Sequence, residues 1–384
     1  MNQNHQDIKK LFLLDDSVTY LNHGSFGACP KSVFEKLIFW QQELEHQPVK
    51  FLEDEIYKYL DWSRDELSKY IDCNKEDIVY FPNPSTALNT VIKSLDLNEG
   101  DEVLTTNHEY GAMDRTWKFV SRKRGFKYIN LAIDLPISNE ADFINQFSSA
   151  INLNTKVIFI SHITSPTGII FPVKKLSKLA RKNNIIMIID GAHAPAQIDL
   201  SIKDINPDIY TGACHKWMMA PKGVSFLYVK KSFQDNIDPL VVSWGWEPEY
   251  PGESKFLDYH QWQGTRDMSA FLTVPEAIKF MEEHDWINVR NNCHDLVVEY
   301  RNVINKEFGI EKICPDNWIG QMASFEFPFN DDKELYAIMK NNNIVVPIMK
   351  WNNKIFIRIS INGYNTSDDF SKLMEVLTNH FVGI

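Results

Sequence analysis

The sequence predicts an α/β protein. A large domain with a mainly parallel sheet, covered by helices on both faces, precedes a smaller C-terminal α+β domain. Three observations carry this expectation. From Ile78 to Asp190, short apolar runs alternate with helical patterns, the β-α-β rhythm of a parallel sheet whose crossovers are helices. Within it, Ile185-Ile186-Met187-Ile188-Ile189 is a continuous apolar run bounded by Asn184 and Asp190, as expected for a strand buried on both faces. In the final third, a long helical stripe is followed by several short strands. The expected divisions are an arm at residues 1–20, a large domain at 21–265 and a small domain at 266–384.

Taken in order, Tyr20 to Gly27 is turn-rich, with two glycines that permit close backbone approach to a ligand. Val33, Leu37, Ile38, Trp40 and Leu44 form one helical apolar face, resumed by Ile56, Leu60 and Leu67 after a break at Pro48. Ile78–Phe81 is a strand leading into Pro82-Asn83-Pro84-Ser85-Thr86 and a helix with Leu88, Val91 and Ile92 on its apolar side. Ser85 and Thr86 thus stand at a helix N-terminus, which holds phosphate well but is equally a place for an ordinary cap. Strands are expected at 102–106, 128–131 and 157–160, with helices near 113–122, 141–151 and 173–182. After the central run, Asp208–Thr211 and Phe226–Val229 are further strands. The stripe Trp286, Val289, Cys293, Leu296, Val297, Tyr300 and Ile304 recurs at spacings of three and four. Strands at 322–327, 344–347 and 355–360 complete the chain.

The 384 residues suffice for a large core. A net charge of −11 argues against nucleic acid and anionic membrane surfaces as partners. No apolar run approaches the roughly 20 residues of a membrane helix, and MNQNHQDIKK contains no apolar signal region. The expected location is the cytoplasm. Cys29, Cys73, Cys214, Cys293 and Cys314 are scattered without C-x-x-C spacing, which suits free thiols in a reducing compartment and no metal site.

Chemistry concentrates between Ile185 and Gly223. Asp190 ends the central run, and Asp208–Thr211 leads into Gly212-Ala213-Cys214-His215-Lys216. In open α/β sheets, ligands collect where strands reach their carboxyl ends. A Lys amine can hold a carbonyl cofactor as a Schiff base. A carboxylate facing a pyridine nitrogen keeps it protonated, so the pair suits pyridoxal phosphate. A buried salt bridge would use the same two residues.

The segments DGAHAPAQ from Asp190, TGACHKW from Thr211 and APKG from Ala220 resemble the signature of class V aminotransferase-family pyridoxal phosphate enzymes, of fold type I. Within that family the chain is similar to the isopenicillin N epimerase-like branch, which also holds C–S lyases and neighbours the cysteine desulfurases. The resemblance runs from LNHGSFG at Leu21 to RISINGYN at Arg358. It implies a seven-stranded sheet, pyridoxal 5'-phosphate, an α-amino acid substrate and a homodimer with shared sites. It also implies roles: Asp190 at the pyridine nitrogen, Lys216 at the cofactor aldehyde, and His193 and Ser165 at the phenolic oxygen. Ser85, Thr86, His215 and Thr211 fall with the phosphate, and Thr265 with the phosphate of the other subunit's cofactor. Tyr110 takes the ring-stacking place where desulfurases carry His; His108 takes it if the register slips. Arg358 falls where the family binds the substrate carboxylate, a role its fork suits, although a structural ion pair would also account for it. Asn22 and His23 fall on the substrate side, or in a solvated turn. Lys222 reads as a turn lysine and Trp217 as packing.

The resemblance implies removal of the Cα proton of a bound amino acid, with Lys216 as base. Loss of a sulfur substituent from Cβ would make the protein a C–S lyase, the reading preferred here. Reprotonation on the opposite face would make it an epimerase or racemase, with Tyr110, His193 or His23 as the second acid. A desulfurase needs a mobile, exposed nucleophilic Cys, and Cys293 lies on a packing stripe. A non-catalytic cofactor-binding protein fits poorly with Asp190, Lys216 and Arg358 all present.

Overall fold

The computed structural model describes residues 5–329 and 331–381, so the first four residues of the expected arm lie outside it. Twelve strands occur among the described residues: β1 Thr19–Tyr20, β2 Ile78–Phe81, β3 Glu102–Thr106, β4 Lys127–Leu131, β5 Thr155–Ser161, β6 Ile186–Asp190, β7 Ile209–Ala213, β8 Ser225–Val229, β9 Met322–Phe327, β10 Ile344–Val345, β11 Ile348–Trp351 and β12 Lys354–Ser360. Seven form the main sheet, in the order β2-β8-β7-β6-β5-β3-β4. The run from β7 to β4 is parallel, and only β8 runs against its neighbours. Every residue of β2, β3 and β7 is buried, as both-face coverage by helices demands.

Those helices form where the apolar period reaches 3.6. In Val173–Lys182, Val173, Leu176, Ser177 and Ala180 are buried, while Lys174, Lys175 and Lys178 face outward. Burying a side chain such as Leu176 stabilises the fold by about 1.5–3 kcal/mol. Pro84–Ser94 opens with Pro at its first position and Asn83 as its cap. The break expected at Pro48 falls one residue earlier: the helix Lys31–His46 ends at the non-helical Gln47, and after it a π-helical stretch, Lys50–Glu55, buries Phe51 and runs directly into Ile56–Tyr70.

A second, antiparallel sheet has the order β11-β12-β9 and packs against the 23-residue helix Trp286–Phe308. The N-terminal segment is more than an arm. β1 pairs in parallel with β10, and Phe12 packs against Phe280, Trp286 and Tyr364. Asn22 then bridges to Ser360 at the end of β12. Residues 19–22 are thereby stitched to residues 343–360. Among the described residues, no helix is long and apolar enough to cross a membrane.

Candidate active site

A cavity of about 260 Å³ opens where β5, β6 and β7 reach their carboxyl ends. Asp190 enters it from the last position of β6, and His215 and Lys216 from the turn after β7. Asn83, Pro84 and Ser85 enter from the start of the helix that follows β2. Tyr110 caps the helix Gly111–Arg124 beyond β3 and also lines the cavity. Ser161 and Ser165 come from the end of β5 and the loop after it, and Arg358 reaches in from β12 of the smaller sheet.

Lys216 Nζ lies 3.3 Å from His193 Nε2. Burial lowers the Lys216 amine from its ordinary 10.5 to about 8, with Asp190 opposing that shift and Arg358 adding to it. Asp190 Oδ1 accepts a hydrogen bond from the Ala192 N–H at 3.0 Å. Burial raises the Asp190 carboxyl above its usual range, while that N–H and Lys216 pull it back. His193 is held well below the ordinary imidazole value by burial and by the charges of Lys216 and Arg358, so the neutral ring prevails. Only 1% of Arg358 is exposed. One of its terminal nitrogens donates to the Ser165 carbonyl at 2.6 Å and the other to Ser25 Oγ at 2.8 Å.

Two buried polar atoms have no protein partner here: His193 Nδ1 and Arg358 Nε. Unpaired buried groups of this kind are costly. With the adjoining Lys216 amine, the Asp190 carboxylate and a capped helix N-terminus, they form a donor and acceptor set that fits pyridoxal phosphate with a carboxylate-bearing substrate. Asp190, His193, Ser85, Tyr110, Ser165, His215 and Lys216 all line this one cavity.

Other expected site residues are placed differently. Thr211 is fully buried within β7 and donates its hydroxyl to the Phe226 carbonyl at 2.7 Å, so it cannot meet a ligand in the cavity. Thr86 is turned into the cap: its N–H and Oγ1 both donate to Asn83 Oδ1, at 2.8 and 3.1 Å. Ser85 alone of that pair lines the cavity. His23 has no exposure. Its ring nitrogens lie against Tyr364 Oη, at 2.9 Å, and the Lys216 carbonyl, at 3.1 Å. It therefore props the lysine backbone and does not line the cavity. Asn22 is likewise displaced, its side-chain oxygen buried; Ser25 and Phe26 form the cavity wall in this segment. Thr265 is exposed and outside the cavity lining of its own chain. His108 is excluded as a stacking residue. It is buried against Trp351 and bonded to Thr167 Oγ1 and the Ile133 carbonyl.

The cysteines stand apart from the cavity. Cys214, Cys293 and Cys314 are buried, Cys29 and Cys73 partly so, and none lines the cavity. Burial pushes the Cys29, Cys73 and Cys293 thiols up to about 12. Sequence reasoning passed over two residues. Ser25 holds Arg358, and its position after a Gly in a turn was the available signal. Glu109 lies beside Ser161 behind the cavity, and no signal in the sequence marked its burial.

The aminotransferase class-V family model matches residues 29–373. An isopenicillin N epimerase of Streptomyces clavuligerus is 30% identical, covering 97% of each chain. A probable chloroplastic L-cysteine desulfhydrase of Arabidopsis thaliana is 27% identical over 94% of this chain and 83% of its own length. Among solved structures, an apo cysteine desulfurase of Thermococcus onnurineus NA1 superposes with a TM-score of 0.86 at 20% identity, covering all of both chains. A C-DES variant with glycine covalently linked to its PLP cofactor gives 0.86 at 17% identity, over 99% of this chain and all of its own.

Proposed function

The chain belongs to the class V aminotransferases, pyridoxal phosphate enzymes of lyase or epimerase type, and from that premise we propose that it is a C–S lyase. It acts on a cysteine derivative by proton abstraction and β-elimination. The observation that carries this reading is the clustering of base machinery at one point. Lys216 Nζ and His193 Nε2 are 3.3 Å apart, and no cysteine lines the cavity around them. A single base beside the substrate Cα suffices for elimination, whereas sulfur transfer to the enzyme needs a thiol within reach.

When bound, the cofactor supplies an electron sink for negative charge developing at Cα. The residues that would hold it are Lys216 at its aldehyde, Asp190 at its ring nitrogen, His193 and Ser165 at its phenolic oxygen, and Tyr110 against its ring. Ser85 and His215 would hold its phosphate. Arg358 binds the substrate carboxylate, pre-oriented by Ser25 and the Ser165 carbonyl. Lys216, neutral above about pH 8, receives the Cα proton. Buried His193 keeps that amine from acquiring a second positive neighbour.

Epimerisation is the second reading, supported by one feature. Tyr110, 48% exposed, presents a phenol to the cavity from a different element than the Lys216–His193 pair. A homodimer in the cytoplasm completes the proposal. Trp244 and Tyr250, 87% and 86% exposed, are surfaces that an interface would cover, and the unpaired thiols suit a reducing compartment.

The test is NMR of the PLP-loaded protein in deuterated water with cysteine, cystine, cysteine S-conjugates and aminoadipyl compounds. Pyruvate with a released sulfur species is the expected result. Deuterium at Cα of intact substrate, with inverted stereochemistry, would replace the lyase by the epimerase.

A further inference from the structure

Behind the cavity lies a second carboxylate that the chemistry above leaves unused. Glu109 follows the end of β3 and is buried. Its Oε1 accepts a hydrogen bond from Thr106 Oγ1 at 2.7 Å. Its Oε2 accepts two from Ser161: from the N–H at 2.7 Å and from the hydroxyl at 2.6 Å. Ser161 itself lines the cavity, and it stands directly opposite Asp190 in the β5–β6 ladder. Three donors on one side chain favour an ionised carboxylate. Burial and the field of Asp190 oppose ionisation and raise Glu109 to about 7. The ionisable groups facing it are Asp190 from β6 and Tyr128 from β4. His108, its neighbour in the chain, turns away to Thr167 and Ile133.

A second buried charge beside Asp190 is costly unless hydrogen-bonded, and the three donors on Glu109 meet that condition. The end of the cavity where Asp190 sits is where a cationic ring nitrogen would be held. We propose that Glu109 is a positioning residue that acts through Ser161 and Asp190, adding negative field to that end of the site and strengthening its hold on a protonated cofactor. This rests on the reading of Asp190 and Lys216 as cofactor ligands. The charge of Glu109 does not touch the reacting atoms; it biases the group that does.

The experiment is a pH titration of the visible absorbance of PLP-loaded protein, comparing wild type with Glu109→Gln. Gln keeps the size. Its oxygen can accept from Ser161 and its amide can donate to Thr106 Oγ1, so a purely structural role would leave the titration in place. The expected result is a midpoint moved towards acid by about 1 pH unit, with circular dichroism and cofactor stoichiometry unchanged. An unmoved midpoint in the folded, loaded variant overturns the proposal. If Glu109→Gln does not fold, Ser161→Ala removes the hydroxyl that favours the ionised form of Glu109. A smaller shift in the same sense is then expected, and an unmoved midpoint again overturns the proposal. A Lys216→Ala control separates the two levels. A wild-type band that does not depend on Lys216 would sink the cofactor-site reading itself, and this proposal with it.

Discussion

Lys216 carries an electrostatic cost of burial in the cavity. Between pH 8 and 10.5 its buried amine has shed a proton that the unfolded chain still holds. The cost of burying the charge is complete below about pH 8 and is relieved as the pH rises towards 10.5. Cofactor-free Lys216→Met protein should therefore exceed cofactor-free wild type in stability at pH 7, by on the order of 2–3 kcal/mol. Denaturant titrations should show that gap closing across the same window. Capture of pyridoxal phosphate by the wild-type apoprotein should accelerate over the rise through about pH 8, as the neutral amine appears. Arg358 makes a different kind of claim. Its fork is fixed by Ser25 and Ser165, and a lysine cannot reproduce two parallel bonds to a carboxylate. Arg358→Lys should lower kcat/KM by about 100-fold, chiefly through KM. An unchanged KM in steady-state kinetics would return Arg358 to a structural role.

Among the elements, the helix Pro84–Ser94 shows how a local rule serves the site. Asn83 satisfies the first turn by accepting from Thr86, which leaves Ser85 to face the cavity. Asn83→Ala should cost about 1 kcal/mol in denaturant stability. It should also weaken pyridoxal phosphate binding in a fluorescence titration, because Thr86 would no longer be held out of the way. The expectation of Ser85 and Thr86 at a helix start was sound about the element. The cap lies two residues earlier, since Pro84 at the first helical position marks Asn83 rather than Ser85. The strands were legible for a physical reason: Ile186–Asp190 and Ile209–Ala213 are buried on both faces, so nearly every position is apolar. Side-chain direction was not legible from those same runs. A continuous apolar strand carries no alternation to say which face a polar residue takes, which is why Thr211 was expected in the cavity but points away from it, while Asp190, at the strand's end, does line it. Glu109 was invisible because a carboxylate in a post-strand turn reads as solvated, and its burial depends on Ser161, 52 residues away. The pairing of Thr19–Tyr20 with Ile344–Val345 was equally hidden, being two residues long and joined across most of the chain.

For the molecule as a whole, the cavity is built from both sheets and the N-terminal segment together, so its integrity depends on long-range closure. The proposed dimer belongs to this scale. Trp244 and Tyr250 project from the segment between β8 and the helix Lys255–Gln261, and large exposed aromatics are common interface anchors. A Trp244→Ser, Tyr250→Ser double variant should raise the dimer dissociation constant by about 10-fold or more, measured by sedimentation. A single species of monomer mass in wild-type protein would remove the dimer, and with it any role for exposed Thr265.

The stitch between residues 19–22 and 343–360 also sets a schedule. On the ribosome, the turn that carries Ser25 and Phe26 emerges early, yet its partners Val345, Ser360 and Tyr364 are made more than three hundred residues later. At about 5–20 residues per second, that segment waits on the order of tens of seconds with its docking surface still unmade. Of the residues that line the cavity, Arg358 is the one translated after Lys216. The nascent large sheet thus waits for its last cavity residue, Arg358, until near the end of synthesis. Completion of this cavity has an order imposed by its topology: the N-terminal wall is translated first but seated only when residues 343–360 arrive, and Arg358 comes last.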